Sequence, residues 1–487
     1  MQFSHKKITI LSIIGLTLFS VMLSLFNYQY ASAGYVPNLY ADWTSVKYPI
    51  TKQTFSQNGQ GAMTIYWGND PKYIQSIKRL NPGTIRFHDS IQGDAPTNWR
   101  AWANNSTKSW DRAKIRQFAD MVRNWRAQGI TSEFSITLTD APAWMKRKSF
   151  VNSSGTVVST ILDQTEYENF TKFSQDLVKI INQEEQLNIK TFEILNERDF
   201  NYSVNLEDNG LPRQMTEMGK LYNQVVKGMK QIQPNLVIGG PSLARTERMD
   251  GVKEFLTEVA KEKSPKTLDF LSYHIYISGS KTDTDTDIFY RATMYPFWST
   301  SSLKSALIEK NINVPIHLNE FNISWEANDP RMANQKGAVF DALTVISALQ
   351  NGASNVAAWT DVDINFGKMN PTTYQIRPAG QVWSMLSDLP EGNIISTQTN
   401  DPDIFALAVV SKDNTKRSIV LVNQSTIRKD MTINKMTNNT NIGFKQLTLA
   451  GNTIVSKSIT PQYTSPFSLP ATSVSVLEFT GPFLANK

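Results

Sequence analysis

Hydrophobic and polar positions along this chain repeat in a fixed order. A short apolar run is followed by a longer stretch with helical spacing, and the pair recurs. Gly61 to Trp67 reads as a strand, and Pro71 to Leu80 as a helix with Asp70 as its N-cap. Thr84 to His88 reads as a strand, and Trp110 to Gln128 as a helix with Ile115, Phe118, Val122 and Trp125 on one face and Gly129 at its end. Strands follow at 133–138, 190–195, 236–240, 269–276, 314–318 and 355–359, and helices at 164–182, 215–231, 252–262 and up to Lys310. Ala333 to Leu349 has the spacing of a long amphipathic helix. Eight strands alternating with helices predict an α/β fold, a (β/α)8 TIM barrel. A doubly wound open sheet is the rival, but no glycine-rich phosphate turn follows the first strand.

After Leu386 the helical period disappears. Short alternating runs at 405–410, 418–422 and 473–479, separated by turn residues, predict an antiparallel β-sandwich. The expected organisation is an export segment at 1–33, an irregular segment at 34–58 packing on the barrel or the sandwich, the barrel at 59–388 and the sandwich at 389–487. In the first of these, Lys6 and Lys7 precede an apolar run ending near Phe26, and Ala31-Ser32-Ala33 has the small-x-small pattern of a cleavage site. A secreted or periplasmic protein is expected, with an uncleaved N-terminal anchor as the alternative.

Composition narrows the chemistry. The chain of 487 residues is 40% hydrophobic and 19% charged, as folded proteins are. It has no cysteine, which excludes thiolate catalysis, thiolate metal sites and disulfides. Four histidines, one of them in the export segment, leave too few for a histidine-rich metal site. Loss of residues 1–33 removes two lysines and no acid, so the net charge goes from +6 to +4 without a basic block. That gives nucleic-acid binding no support and is compatible with an anionic glycan. Aromatics make up 10% of residues, with 11 tryptophans, and flat aromatic faces suit sugar-binding clefts as well as cores. Asp283-Thr284-Asp285-Thr286-Asp287 resembles a calcium loop, but positions six and twelve are Ile288 and Met294. It is read as a solvated loop at the rim of the cleft.

Two apolar runs end in acids. Phe192-Glu193-Ile194-Leu195-Asn196-Glu197 closes the fourth strand, and His317-Leu318-Asn319-Glu320 the seventh. A carboxylate at the end of a buried strand loses solvation and is destabilising unless paired or used. Barrel active sites gather at the carboxyl ends of the strands. Two carboxylates facing each other there can hydrolyse a glycoside, one protonating the leaving oxygen while the other attacks or activates water. Arg86 on the second strand could hold one of them ionised. His317, three residues before Glu320, is placed inside the barrel with a structural role.

These residues resemble the retaining (β/α)8 glycosidases that carry the acid/base after strand 4 and the nucleophile after strand 7. Ile85-Arg86-Phe87-His88, Ala141-Pro142-Ala143-Trp144, Ser272-Tyr273-His274-Ile275-Tyr276 and Asn319-Glu320-Phe321-Asn322, with Asn196-Glu197 and Trp359, are similar to glycoside hydrolase family 39. That family holds β-xylosidases, α-L-iduronidases and exopolysaccharide endoglycosidases. The resemblance spans roughly residues 60–480 and implies that Glu197 is the general acid/base and Glu320 the nucleophile. It further implies that Asn196 binds the sugar 2-hydroxyl and that Arg86 and Tyr276 orient Glu320 and keep it ionised. His88, His274, Trp144 and Trp359 would line the innermost subsite. No cofactor and no metal enters this chemistry, and the partner is a polysaccharide or oligosaccharide.

Two departures from the family stand out, the first altering the turn after the acid and the second bearing, with the expected export, on the substrate. Arg198 stands where the family usually has proline. The acidic pair that grips a terminal sugar in the xylosidase branch has no counterpart in Val362-Asp363-Ile364-Asn365-Phe366. Together with a basic stretch at Met145-Lys146-Arg147-Lys148, this favours endo-hydrolysis of an extracellular polysaccharide, an acidic one being compatible. An exo-acting β-glycosidase such as a β-xylosidase is the alternative, and a non-catalytic glycan-binding surface protein the alternative from another class. Oligomeric state is not legible.

Overall fold

A computed structural model describes residues 38–62, 68–87, 102–326, 329–434, 443–451, 453–458, 466–481 and 483. The export segment and His88 lie outside them. Among the described residues no helix is long and apolar enough to cross a membrane.

The barrel is closed by eight parallel strands: β2 (Phe55–Asn58), β3 (Thr84–Phe87), β4 (Glu133–Leu138), β7 (Thr191–Ile194), β8 (Val237–Leu243), β9 (Phe270–Ser278), β10 (Ile316–Ser324) and β11 (Ala353–Ala358). Between them run helices α1 (Pro71–Leu80), α2 (Arg112–Ala127), α3 (Tyr167–Lys179), α4 (Met215–Ile232), α5 (Met249–Val259), α6 (Asp285–Glu309) and α7 (Gln335–Gln350). Helix α8 (Pro378–Ser387) ends the barrel. Local chemistry sets the ends. Asp70 accepts from the Lys72 amide at 2.7 Å with Pro71 behind it, and Asn81 closes α1 in the left-handed region at φ 49°.

Five expectations are corrected, the last of them, the irregular N-terminal segment, with the second domain. The first barrel strand is Phe55–Asn58, upstream of the apolar run at 61–67, whose residues 61 and 62 form a turn while 63–67 lie outside the described residues. Ser56, Gln57 and Asn58 are buried polar groups, so the strand lacks an apolar signature. Helix α7 is not amphipathic: residues 337–349 are all buried, because the barrel covers one side and the sandwich the other. The acidic run at 283–287 is the start of α6, where Thr284 and Asp287 form a capping box and Asp283 pairs with Arg291 at 2.7 Å. The basic stretch opens a hairpin, β5 (Arg147–Val151) with β6 (Val157–Leu162).

The second domain is a nine-stranded sheet coiled into a β-sandwich. Its members are β1 (Asn38–Ile50), β12 (Gly392–Thr399), β13 (Ile404–Ser411), β14 (Lys416–Asn423), β15 (Lys429–Asn434), β16 (Gly443–Ala450), β17 (Thr453–Ser458), β18 (Phe467–Leu469) and β19 (Ser473–Thr480). The N-terminal segment is therefore a strand, β1, paired antiparallel to β12 and parallel to β15. Leu39, Ala41 and Trp43 alternate inward and join Ile395, Ile419, Leu421, Met431 and Phe479 in a separate core. The opposite face of the sheet, with Leu407, Val420, Val422 and Val476, is continuous with the barrel core. Gln335 donates to the carbonyls of Leu449 and Thr472, and Gln350 to that of Ala406, so α7 is tied to the sheet at both ends.

Candidate active site

The site grows from an ion-paired centre inside the barrel. Arg86 on β3 points inward and is almost fully buried. Its Nε donates to Glu193 Oε2 at 2.6 Å, its Nη1 to Glu320 Oε1 at 2.8 Å and to Asn58 Oδ1 at 2.9 Å, and its Nη2 to Asn196 Oδ1 at 2.8 Å. One planar guanidinium thus fixes four groups carried by three strands, β2, β7 and β10. Burial works against its charge, yet Glu193 and Glu320 hold its pKa above the ordinary arginine value. Glu193, in the middle of β7, also accepts from Thr137 Oγ1 at 3.3 Å and from Asn319 Nδ2. Desolvation opposes its ionised form, but Arg86, helped by Ser272 and His274, outweighs it and holds the carboxyl below the usual glutamate range.

Glu320 lies above this centre, buried, with Tyr276 Oη donating to its Oε2 at 2.8 Å. Burial, then Glu320 itself, pushes the Tyr276 phenol well above its ordinary value, so it remains a donor. Glu197 faces Glu320 with its side chain one-third exposed, 33% against 6% for Glu320. His274 stands between them. Its Nδ1 is 2.9 Å from Glu197 Oε1, and its buried Nε2, 3.5 Å from Glu320 Oε1, makes no hydrogen bond. Burial disfavours the imidazolium, but Glu320 and Glu197 raise its pKa above that of an ordinary histidine. One oxygen of Glu197, one nitrogen of His274 and one oxygen of Glu320 lie within 4.8 Å of one another. A cation could bridge such a set, but the Arg86 guanidinium already sits on Glu320 and repels one.

The turn carrying Glu197 is built tightly. Leu195 and Glu197 both adopt left-handed backbone, at φ 70° and 54°. Successive amides leave the strand pattern gradually, Leu195 N donating to Leu138 O, Asn196 N to Thr139 O and Glu197 N to Ser242 O. Buried Asp199 then accepts from the amides of Ala244 and Arg245 at 3.1 and 2.9 Å. Burial raises its pKa to about 6, against the pull of those amides. Arg198, in the position of the family's proline, reaches Asp140 at 3.2 Å, the same carboxylate that holds Arg147 at 3.0 Å. The β5–β6 hairpin is thereby pinned beside the acid turn, and Ser159 of β6 donates to Asn201 O.

Of the residues expected at the site, Arg86, Asn196, Tyr276 and Glu320 form one hydrogen-bonded set, and the bonded pair Glu197 and His274 faces it across 3.5 Å from His274 Nε2 to Glu320. Trp359 follows β11, half-buried, and its carbonyl accepts from Asn322 Nδ2. Trp144 is half-buried and meets Phe173 of α3 edge-on at 5.6 Å. His88 lies outside the described residues. His317 stacks on Phe270 at 4.2 Å, with burial lowering its pKa to about 4. Sequence reasoning missed Glu193, Asn58 and Asp199. A charge in the middle of a buried apolar strand was the available signal for Glu193, since it demands a cationic partner. The basic stretch offers little to an acidic substrate: Met145 is buried, Arg147 is taken by Asp140 and Ala141 O, and Lys148 lies over Phe150.

A closed parallel barrel with one glutamate in the turn after its fourth strand and a facing glutamate within its seventh places the chain in the class of (β/α)8 proteins with a glycosidase-type site. Residues 153–374 match the family model described as Glycosyl hydrolases family 39. The chain is family 39-like in sequence and in fold. A curated relative, "Beta-xylosidase" of Caldicellulosiruptor saccharolyticus, is 24% identical over 245 residues. That alignment covers 47% of each protein, so the chain spans about half the length of this relative. Among solved structures, a monomeric beta-xylosidase from Caulobacter crescentus CB15 superposes with a TM-score of 0.62 at 15% identity, over 91% of this chain and 99% of that one. The GH39 enzyme from Xanthomonas axonopodis pv. citri gives 0.61 at 15% identity, over 92% and 98%. The alpha-L-arabinofuranosidase from Thermotoga maritima gives 0.64 at 14% identity, over 91% and 99%. At these identities the structural likenesses establish the fold.

Proposed function

We propose that the protein is a retaining glycoside hydrolase that cleaves O-glycosidic bonds in an extracellular polysaccharide by double displacement, within the chain. The observation that carries the reading is the separation of the two carboxylates. One oxygen of Glu197 and one of Glu320 lie within 4.8 Å, a close approach that suits direct attack on the sugar better than the wider spacing that holds an inverting enzyme's water. Glu320, fixed by Arg86 and Tyr276, attacks the anomeric carbon. Glu197, the more exposed of the two, gives its proton to the leaving oxygen. Water then displaces Glu320, with Glu197 taking the proton back. Asn196, turned by Arg86, presents its amide to the sugar 2-hydroxyl. Endo action is supported by the loop after β11. Asp361 there is committed to the amides of Gly61 and Ala62 and to Tyr73, and Asp363 to those of Asn365 and Phe366. Asp361, buried with both oxygens engaged, is not available to grip a terminal sugar.

An exo-acting β-xylosidase is the second reading, favoured by the names of the curated relative and of one structural relative. The test is product analysis on polysaccharides and aryl glycosides, beside Glu197→Gln and Glu320→Gln. Oligosaccharides that appear first with retained anomeric configuration, and only with the wild type, support endo action. Monosaccharide release moves the reading to the exo enzyme. Polysaccharide binding without turnover, equal in all three proteins, refutes a hydrolase.

A further inference from the structure

Trp325 is the most exposed tryptophan among the described residues, at 60%. It follows β10 directly, five residues beyond Glu320, which at the rise of a strand is about 16 Å along the chain toward the rim. The last residues of β9 and β10, Ser278 and Ser324, are paired, so Gly279 and Trp325 emerge side by side. The indole rests on Gly279: a Cβ there would meet three of its atoms at 2.1, 2.4 and 3.0 Å. Glycine is required for this close approach. One part of the ring is seated on backbone while much of the rest is left to solvent. The fold thus seats a large apolar ring at the mouth instead of burying it in a core.

We infer that Trp325, seated on Gly279, is an aromatic platform for a sugar ring remote from the bond that is cut. The apolar C–H face of a pyranose stacks on such a ring, while its hydroxyls remain in water. A single sugar clasped between Glu197 and Glu320 does not reach Trp325; an oligosaccharide lying across the β9–β10 side of the mouth does. The inference rests on the glycosidase reading and sharpens it, because it selects a chain substrate over a short glycoside.

The test uses the whole protein with Trp325→Ala, Trp325→Phe and Gly279→Ala, the last displacing the ring without removing it. Kinetics are read on the longest polysaccharide hydrolysed and on an aryl monoglycoside. Retardation of Glu320→Gln and of Glu320→Gln/Trp325→Ala is read in gels containing each polysaccharide of the panel. Trp325→Ala is expected to raise KM on the polymer about ten-fold, with a much smaller change on the aryl glycoside and partial recovery in Trp325→Phe. Gly279→Ala should move KM the same way. The gel retardation should fall with the tryptophan. Equal KM effects on both substrates, or no change in KM and retardation, overturn the platform while leaving hydrolysis intact. Absence of hydrolysis sinks the glycosidase reading, and the gels then still decide on Trp325. Absence of retardation by every polysaccharide overturns the platform.

Discussion

Arg86→Lys isolates what the guanidinium contributes, because it keeps the charge and removes the fork. Arg86 uses three nitrogens to hold Glu193, Glu320, Asn58 and Asn196 at 2.6–2.9 Å. A lysine ammonium is a single centre with three donors. It can sit between Glu193 and Glu320 but does not also turn Asn196. At least one bond to a carboxylate is lengthened and the bond to Asn196 is lost. Hydrogen bonds with a charged partner contribute about 1.5–3 kcal/mol each, so the loss is about 2–4 kcal/mol after the ammonium has settled. If that energy positions Glu320 and Asn196 for the transition state, kcat/KM falls about 30- to 900-fold. The assay is steady-state hydrolysis with a thermal scan alongside, since the pair Glu193 and Glu320 keeps a buried counter-cation and the fold should persist. Arg86→Met, which strands two buried carboxylates, should cost about 3–5 kcal/mol of stability in addition. A folded Arg86→Lys with kcat/KM near that of the wild type would refute the positioning argument.

Two further predictions follow from the same geometry. Asp199 has its pKa raised from 3.8 to about 6, so its own contribution to native stability is fully present below the unfolded value and is lost as pH rises through 6. Asp199→Asn should therefore gain on the wild type between about pH 4 and 6, by up to about 3 kcal/mol, less about 1 kcal/mol for one lost amide bond. Melting curves across that range check it, and a pH-independent difference between the two proteins rules it out. Because Arg86 occupies the carboxylate that a cation would need, exhaustive chelation should leave hydrolysis unchanged. A loss that a divalent metal restores would mean that the cluster of Glu197, His274 and Glu320 holds an ion in the working protein.

Much of the barrel was legible because most of its strands are largely apolar runs of four to nine residues and most of its helices carry one apolar stripe. The residues that escaped did so for physical reasons. Phe55–Asn58 hides three buried polar side chains in four positions, so the apolar run downstream looked more like a strand. Strand β1 does alternate, with Leu39, Ala41 and Trp43 inward, but its partners lie some 350 residues away and no local pattern reports them. The hairpin at 147–162 has its charges on a strand and its β-branched residues split by a polar turn, which reads as a loop. At the site, the catalytic candidates were visible as acids at strand ends. Glu193 was not, because its role is to balance Arg86, and that pairing exists only after the barrel closes.

The placement of β1 has a consequence for how the molecule is made. Leu39 pairs with Thr399 and Asn38 with Thr432, so the first described strand finds its neighbours only after the whole barrel has been synthesised. Contacts of such sequence separation are slow to form and cannot be rehearsed locally. The sandwich thus cannot close before its last strands are made, and its closure joins β1 to strands more than 340 residues away like a clasp. A barrel cut free at residue 388 would carry β1 as an unpaired strand with Leu39, Ala41 and Trp43 uncovered, an invitation to aggregate rather than an independent domain.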